Sequence, residues 1–123
     1  MSKNILVIDD DNRNIFALSA VLKSKGYSCM TASAALEGIS LLESEQRVDV
    51  VLLDMMMPDM DGYQTLHLIR NHEKFHSIPV IAVTAQAMVG DRDKCLEAGA
   101  DEYISKPIDV DLLVRYLEKY TKN

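Results

Sequence analysis

The run Val48-Asp49-Val50-Val51-Leu52-Leu53 ends on Asp54. Such a run reads as a buried strand, so an ionisable side chain is delivered to the edge of a hydrophobic sheet. A carboxylate placed there needs a partner or a chemical role. The arrangement recurs along the chain: Ile5-Leu6-Val7-Ile8 runs into Asp9-Asp10-Asp11, Val80-Ile81-Ala82-Val83 ends at Thr84, and Tyr103-Ile104-Ser105 ends at Lys106. Acids, a hydroxyl and a lysine all stand at strand ends.

Between these runs the pattern changes to helical spacing. Residues 12–25 carry Ile15, Leu18, Val21 and Leu22 on one face, with Gly26 as a stop signal. A short strand over 28–32 leads to a helix over 34–44, and the strand ending at Asp54 follows. Then come a helix over 61–71, a strand over 79–84, a helix over 88–98, a strand over 102–105 and a helix over 109–120. Five strands alternating with five helices imply a parallel sheet covered on both faces by right-handed crossovers. The alternation leaves the strand order open. No linker, repeat or low-complexity tract interrupts it, so residues 1–123 are expected to form a single domain.

In an open parallel sheet the carboxyl ends of all strands share one edge, so the strand-end residues can converge although scattered in sequence. Clustered carboxylates repel one another unless a cation intervenes. Mg²⁺ takes oxygen ligands in octahedral geometry and is the natural resolution. A lysine as fixed positive charge and a threonine as hydrogen-bond donor would then suit the spread charge of a transferring phosphoryl group. The remaining carboxylate would be the nucleophile.

The segments Ile5-Leu6-Val7-Ile8-Asp9-Asp10, Leu53-Asp54-Met55-Met56-Met57-Pro58, Asp61-Gly62, Val83-Thr84-Ala85 and Lys106-Pro107, in this order and at these strand ends, resemble the signature of the receiver domain of two-component response regulators. The resemblance runs from about Ile5 to the last helix. It implies strand order 2-1-3-4-5 in a doubly wound, flavodoxin-like three-layer sandwich. It also implies that Asp54 accepts a phosphoryl group from a phosphohistidine on a sensor histidine kinase or histidine phosphotransfer protein. Asp10 would bind Mg²⁺ directly, Asp9 through water, and Met56 through its carbonyl, with Asp54 as a further ligand. Lys106 and Thr84 would contact the phosphoryl group, and a cis Lys106–Pro107 bond would aim the lysine. Thr84 and Tyr103 would switch a surface formed by the fourth helix, fifth strand and fifth helix, for a downstream partner or a phosphorylation-linked dimer. The Met56 side chain would border the route of water to the phosphoryl group. The stretch from Asp10 to Leu18 resembles receivers attached to hybrid histidine kinases.

Plainer readings compete at several positions. Asp54 could cap the following turn, although Pro58 and Gly62 mark a longer loop before the next helix. Asp9 and Asp10 could be caps, and Asp11, directly before the first helix, is expected to be one. Thr84 could be a simple strand-end hydroxyl and Tyr103 a half-buried aromatic on an edge strand. Met55, Met57 and Met60 read as adaptable packing. His72-Glu73-Lys74-Phe75-His76 fits the zinc motif H-E-x-x-H, but it falls on a polar helix end rather than a helix interior, and reads as a chance match. A phosphatase with an Asp nucleophile needs an acid or base two residues on, where this chain has Met56. No Gly-rich loop follows a strand, so a nucleotide site is not expected. The remaining alternative is a receiver-like interaction module that never takes phosphate.

Composition narrows the setting. A net charge of -6, without a basic cluster, argues against direct nucleic-acid binding. The apolar runs are strand-sized, well short of the roughly 20 residues of a membrane helix, and no signal peptide precedes the first strand. Cys29 and Cys95 lack pairing or metal-type spacing and read as reduced structural thiols. A cytoplasmic protein is expected. Met1 and the short Thr121-Lys122-Asn123 tail favour a free-standing regulator over a fragment.

Overall fold

Apolar runs become strands here because helices pack on both of their sides. The computed structural model describes residues 3–58, 60–85 and 89–121. Strands β1 (Asn4–Ile8), β2 (Ser28–Ala32), β3 (Val50–Asp54), β4 (Val80–Thr84) and β5 (Glu102–Ser105) alternate with helices α1 (Asn12–Ser24), α2 (Ala35–Glu43), α3 (Gly62–Arg70), α4 (Asp91–Glu97) and α5 (Val110–Thr121). All strand pairs are parallel, in the order β2-β1-β3-β4-β5. This is the doubly wound sandwich that the resemblance implied.

Strand periodicity divides the core. Ile5 and Val7 of β1, with Val50 and Leu52 of β3, meet Leu18 and Leu22 of α1 and Leu113 and Leu117 of α5. Leu6 and Ile8, with Val51 and Leu53, face the opposite layer with Leu42, Leu66 and Ile69. Every residue of β3 and β4 is buried, so neither strand shows the alternation of a half-wet sheet.

Local chemistry sets the helix ends. Asp11 caps α1, its carboxylate accepting the Arg13 N–H. Gly26, at φ +90, closes the same helix, its N–H donating to the Lys23 carbonyl while the Tyr27 N–H reaches Leu22 O. Asp61 and Gln64 form a reciprocal capping box on α3. Most boundaries fall within a residue of the sequence expectation. The third strand is shorter, beginning at Val50, because Asp49 is engaged in turning the chain: its carboxylate accepts the Asn4 N–H at 2.8 Å and pairs with Arg47 Nε at 2.9 Å. Helix α4 starts at Asp91 after Gly90 at φ +90, and the expected start at Met88 lies outside the described residues.

The amino-terminal ends of β4 and β5 are tied together by Arg70. Its guanidinium donates to the carbonyls of Gly99, His76 and Ile78 and pairs with Asp101 Oδ2 at 3.0 Å. That same Asp101 oxygen accepts the Val80 N–H at 2.8 Å, at the first residue of β4. One side chain thus joins the end of α3, the loop before β4 and the turn before β5.

Candidate functional site

The opposite edge of the sheet collects the polar strand ends. The hydrogen-bond ladder continues to, or one residue past, each strand end: Asp9 N donates to Ala32 O at 3.0 Å, Met55 N to Val83 O at 2.9 Å and Lys106 N to Thr84 O at 2.7 Å. Backbone pairing therefore anchors the residues at the ends of β1, β3 and β5, and the convergence inferred from sequence is a consequence of parallel register.

Asp9, Asp10 and Asp54 each offer a carboxylate oxygen, all within 4.8 Å of one another. Among the described residues no other trio of His, Cys, Asp or Glu side chains converges in this way. Asp9 and Asp54 are buried, at 2% and 4% exposure, whereas Asp10 is exposed. The Lys106 ammonium lies between the two buried acids, 3.3 Å from Asp9 Oδ2 and 3.6 Å from Asp54 Oδ2. The Lys106–Pro107 peptide bond is cis.

Each buried acid is also held by neutral donors. Asp9 Oδ1 accepts the Asp11 N–H at 2.8 Å, and its Oδ2 accepts Asn14 Nδ2 at 2.5 Å. Asp54 Oδ1 accepts the Met56 N–H at 3.0 Å. Burial nevertheless dominates at Asp54 and pushes its carboxyl up to about 6; the Met56 hydrogen bond and Lys106 pull it down, while the Asp9 charge adds to the rise. Hard oxygen donors, clustered and partly desolvated, suit Mg²⁺, so the residues present fit such an ion.

Thr84 is buried at the end of β4 and lines a cavity of about 120 Å³ with Met55, Met56, Tyr63 and Cys95. Met56 stands at the cavity mouth, 49% exposed, and Met55 and Met57 are buried. Tyr103 is half-buried against the core layer, and burial raises its phenol. Sequence reading had no place for Asn14; its signal was an amide in the first turn of a helix that begins beside an acidic cluster.

The H-E-x-x-H segment is not helical at all. It follows the end of α3 in a series of turns, where His72 stacks on Phe75 with ring centroids 3.7 Å apart and its Nδ1 accepts the Lys74 N–H. Cys29 and Cys95 are free thiols, and burial raises both.

The family model of the response regulator receiver domain matches residues 5–118. The chain belongs to that family. This receiver domain is 39% identical over 118 residues to the sensor histidine kinase RcsC of Salmonella typhimurium, covering 96% of the chain and 12% of the kinase. The chain therefore spans a small part of that relative's length. It is 31% identical over 120 residues to the polar-differentiation response regulator DivK of Brucella ovis, covering 98% of the chain and 97% of DivK. The solved receiver domain of a sensor histidine kinase from Pseudomonas aeruginosa PAO1 has a magnesium ion coordinated in its active site cleft. It superposes with a TM-score of 0.87 at 34% identity, covering 98% of each chain. Receiver domains are signalling modules of two-component systems, phosphorylated by histidine kinases and acting on downstream proteins rather than turning over a substrate. No helix among the described residues is long and apolar enough to cross a membrane.

Proposed function

We propose that this receiver domain takes a phosphoryl group from a phosphohistidine onto Asp54 in a Mg²⁺-dependent reaction. The observation that carries the reading is the placement of Lys106 between two buried carboxylates that also face Asp10. An Asp54 oxygen attacks phosphorus, the phosphorus–nitrogen bond breaks, and the imidazole leaves with the electron pair and takes up a proton. Asp9, Asp10, Asp54 and the Met56 carbonyl would hold the ion, which when bound offsets charge on the transferring oxygens. Lys106 supplies a compact positive charge to a phosphoryl oxygen, and the Thr84 hydroxyl a hydrogen bond. Desolvation of the nucleophile has a purpose in this scheme, since a carboxylate poorly solvated in its free state gains from meeting cation and phosphorus together.

The acyl phosphate then biases an equilibrium between two surface conformations, with Thr84 and Tyr103 linking the site to the face of α4, β5 and α5. The donor is a sensor histidine kinase or a histidine phosphotransfer protein in the cytoplasm, and the readout is binding of a downstream protein or of a second copy. Hydrolysis of the domain's own acyl phosphate resets the state.

Intact mass after incubation with acetyl phosphate, with and without Mg²⁺, tests the proposal on the wild type and on Asp54→Asn. One Mg²⁺-dependent phosphoryl adduct, lost in the variant, is expected. An adduct retained by Asp54→Asn would assign the acceptor elsewhere. No adduct in the wild type, together with no Mg²⁺ binding, would instead leave an interaction module that works without phosphate.

A further inference from the structure

Asp9 Oδ2 receives two donors of different kinds, the Asn14 amide and the Lys106 ammonium. The amide is neutral and the nearer of the two, at 2.5 Å against 3.3 Å. Its arrival there follows from the start of α1. Asp11 caps that helix, so Asn14 is its third residue, and side chains in a first turn lean back toward the helix start. Gln64 holds the same position in α3 and folds back to the N–H of its own cap, Asp61. Asn14 instead reaches past the cap to the buried acid that follows β1.

From this contrast we infer that Asn14 is a positioning residue for the cation site, acting through Asp9. The inference rests on the Mg²⁺-site reading above. Lys106 must leave Asp9 to accompany a phosphoryl group on Asp54, and a buried carboxylate oxygen stripped of its donors is costly. The Asn14 amide keeps that oxygen satisfied while Lys106 moves. Being uncharged, it does so without opposing the approach of a divalent cation. Without Asn14, Lys106 is the side-chain donor left to Asp9 Oδ2, so the ammonium is drawn toward Asp9 and must be displaced before Mg²⁺ can use the site. Asn14 thus separates two duties that would otherwise fall on the one lysine.

A role in metal positioning and a role in folding give opposite results. In metal-free protein Lys106 compensates for the lost amide, so Asn14→Ala is expected to unfold in urea at nearly the wild-type midpoint. Its Mg²⁺ dissociation constant, read from backbone NMR shifts of the unphosphorylated protein, is expected to rise roughly 10-fold, the usual scale for losing a group that orients a metal ligand. Asn14→Gln, which keeps the amide on a longer arm, should recover most of that loss. At saturating Mg²⁺ the rate of phosphorylation of Asn14→Ala by acetyl phosphate should return close to wild type. Mg²⁺ affinity within twofold of wild type in Asn14→Ala, or a lowered metal-free midpoint with affinity unchanged, would overturn the inference. Should Asn14→Ala fail to fold, weak binding by a folded Asn14→Gln with no gain over background would overturn it as well. A wild type that binds no Mg²⁺ would remove the receiver-site reading itself, an outcome distinguishable from a variant that matches a binding wild type.

Discussion

Gly62 rests directly on Met55. A methyl group built on Gly62 would lie 2.4 Å from Met55 Sδ and 2.6 Å from its Cα, and the Gly62 N–H donates to the Met55 carbonyl at 3.1 Å. The start of α3 is thereby pressed against the residue that follows Asp54, so the position of the helix and the position of Asp54 are one geometric fact. Gly62→Ala cannot be absorbed by a flexible side chain alone, because one of the clashes is with backbone. We expect it to destabilise the fold by about 2 kcal/mol and to slow phosphorylation of the molecules that remain folded. Urea unfolding and adduct formation by mass would show both effects together.

The buried carboxyl of Asp54 makes stability depend on pH. Its value is raised from 3.8 to about 6, chiefly by desolvation, so the folded state holds the proton more tightly than the unfolded state. The associated stability is fully present below 3.8 and is lost as pH rises through 6. In EDTA, Asp54→Asn should therefore exceed the wild type by roughly 2–3 kcal/mol at neutral pH, with the difference shrinking toward pH 4. Urea unfolding across this range checks it, and equal midpoints at neutral pH would contradict the assignment.

Lys106 occupies oxygens that a cation would share. Replacing it by Met removes the competing charge, so Mg²⁺ should bind several-fold more tightly, while phosphorylation at saturating Mg²⁺ should fall by about tenfold or more through loss of a charge-assisted contact. Isothermal titration and phosphorylation kinetics on the same preparation would reveal the two opposite changes.

Arg70 offers a contrasting case. Its guanidinium satisfies three carbonyls and Asp101 far from the acid cluster, so Arg70→Ala should cost about 2–4 kcal/mol in urea unfolding. Mg²⁺ affinity should stay within twofold of wild type. A large loss of affinity would mean that the two edges of the sheet communicate more closely than their separate hydrogen-bond networks suggest.

The sheet was legible because its signals are of the kind a sequence carries well. Apolar runs of strand length, separated by helical periodicity and by Gly26, mark β1, β3 and β4, whereas β2 and β5 are short and carry polar residues. Strand order was not, since nothing in an apolar run names its neighbour, and it came from the resemblance. Asp9, Asp10, Asp54, Thr84 and Lys106 were singled out because each polar residue interrupts a run at a strand end. Asn14 escaped because a polar residue in the first turn of a helix is ordinary, and its target lies five positions back, outside the helix and just past β1. Asp49 and Asp101 were passed over for a similar reason: each binds a strand's leading N–H, a job that leaves no mark in hydrophobic pattern. The H-E-x-x-H segment shows the reverse error available to motif reading, since its spacing means something only on a helix, and this chain has none there.

The Arg70 tie has a consequence for how the molecule can respond. The starts of β4 and β5 are riveted by a cation donating to main-chain carbonyls, at the end of the strands away from the acids. Those acids and Lys106, by contrast, exchange partners whenever charge is added or removed. A stiff hem beside β4 and β5 and a re-tieable knot among the acids put the exchange of partners at the carboxyl ends of β1, β3 and β5, where Asp9, Asp54 and Lys106 stand.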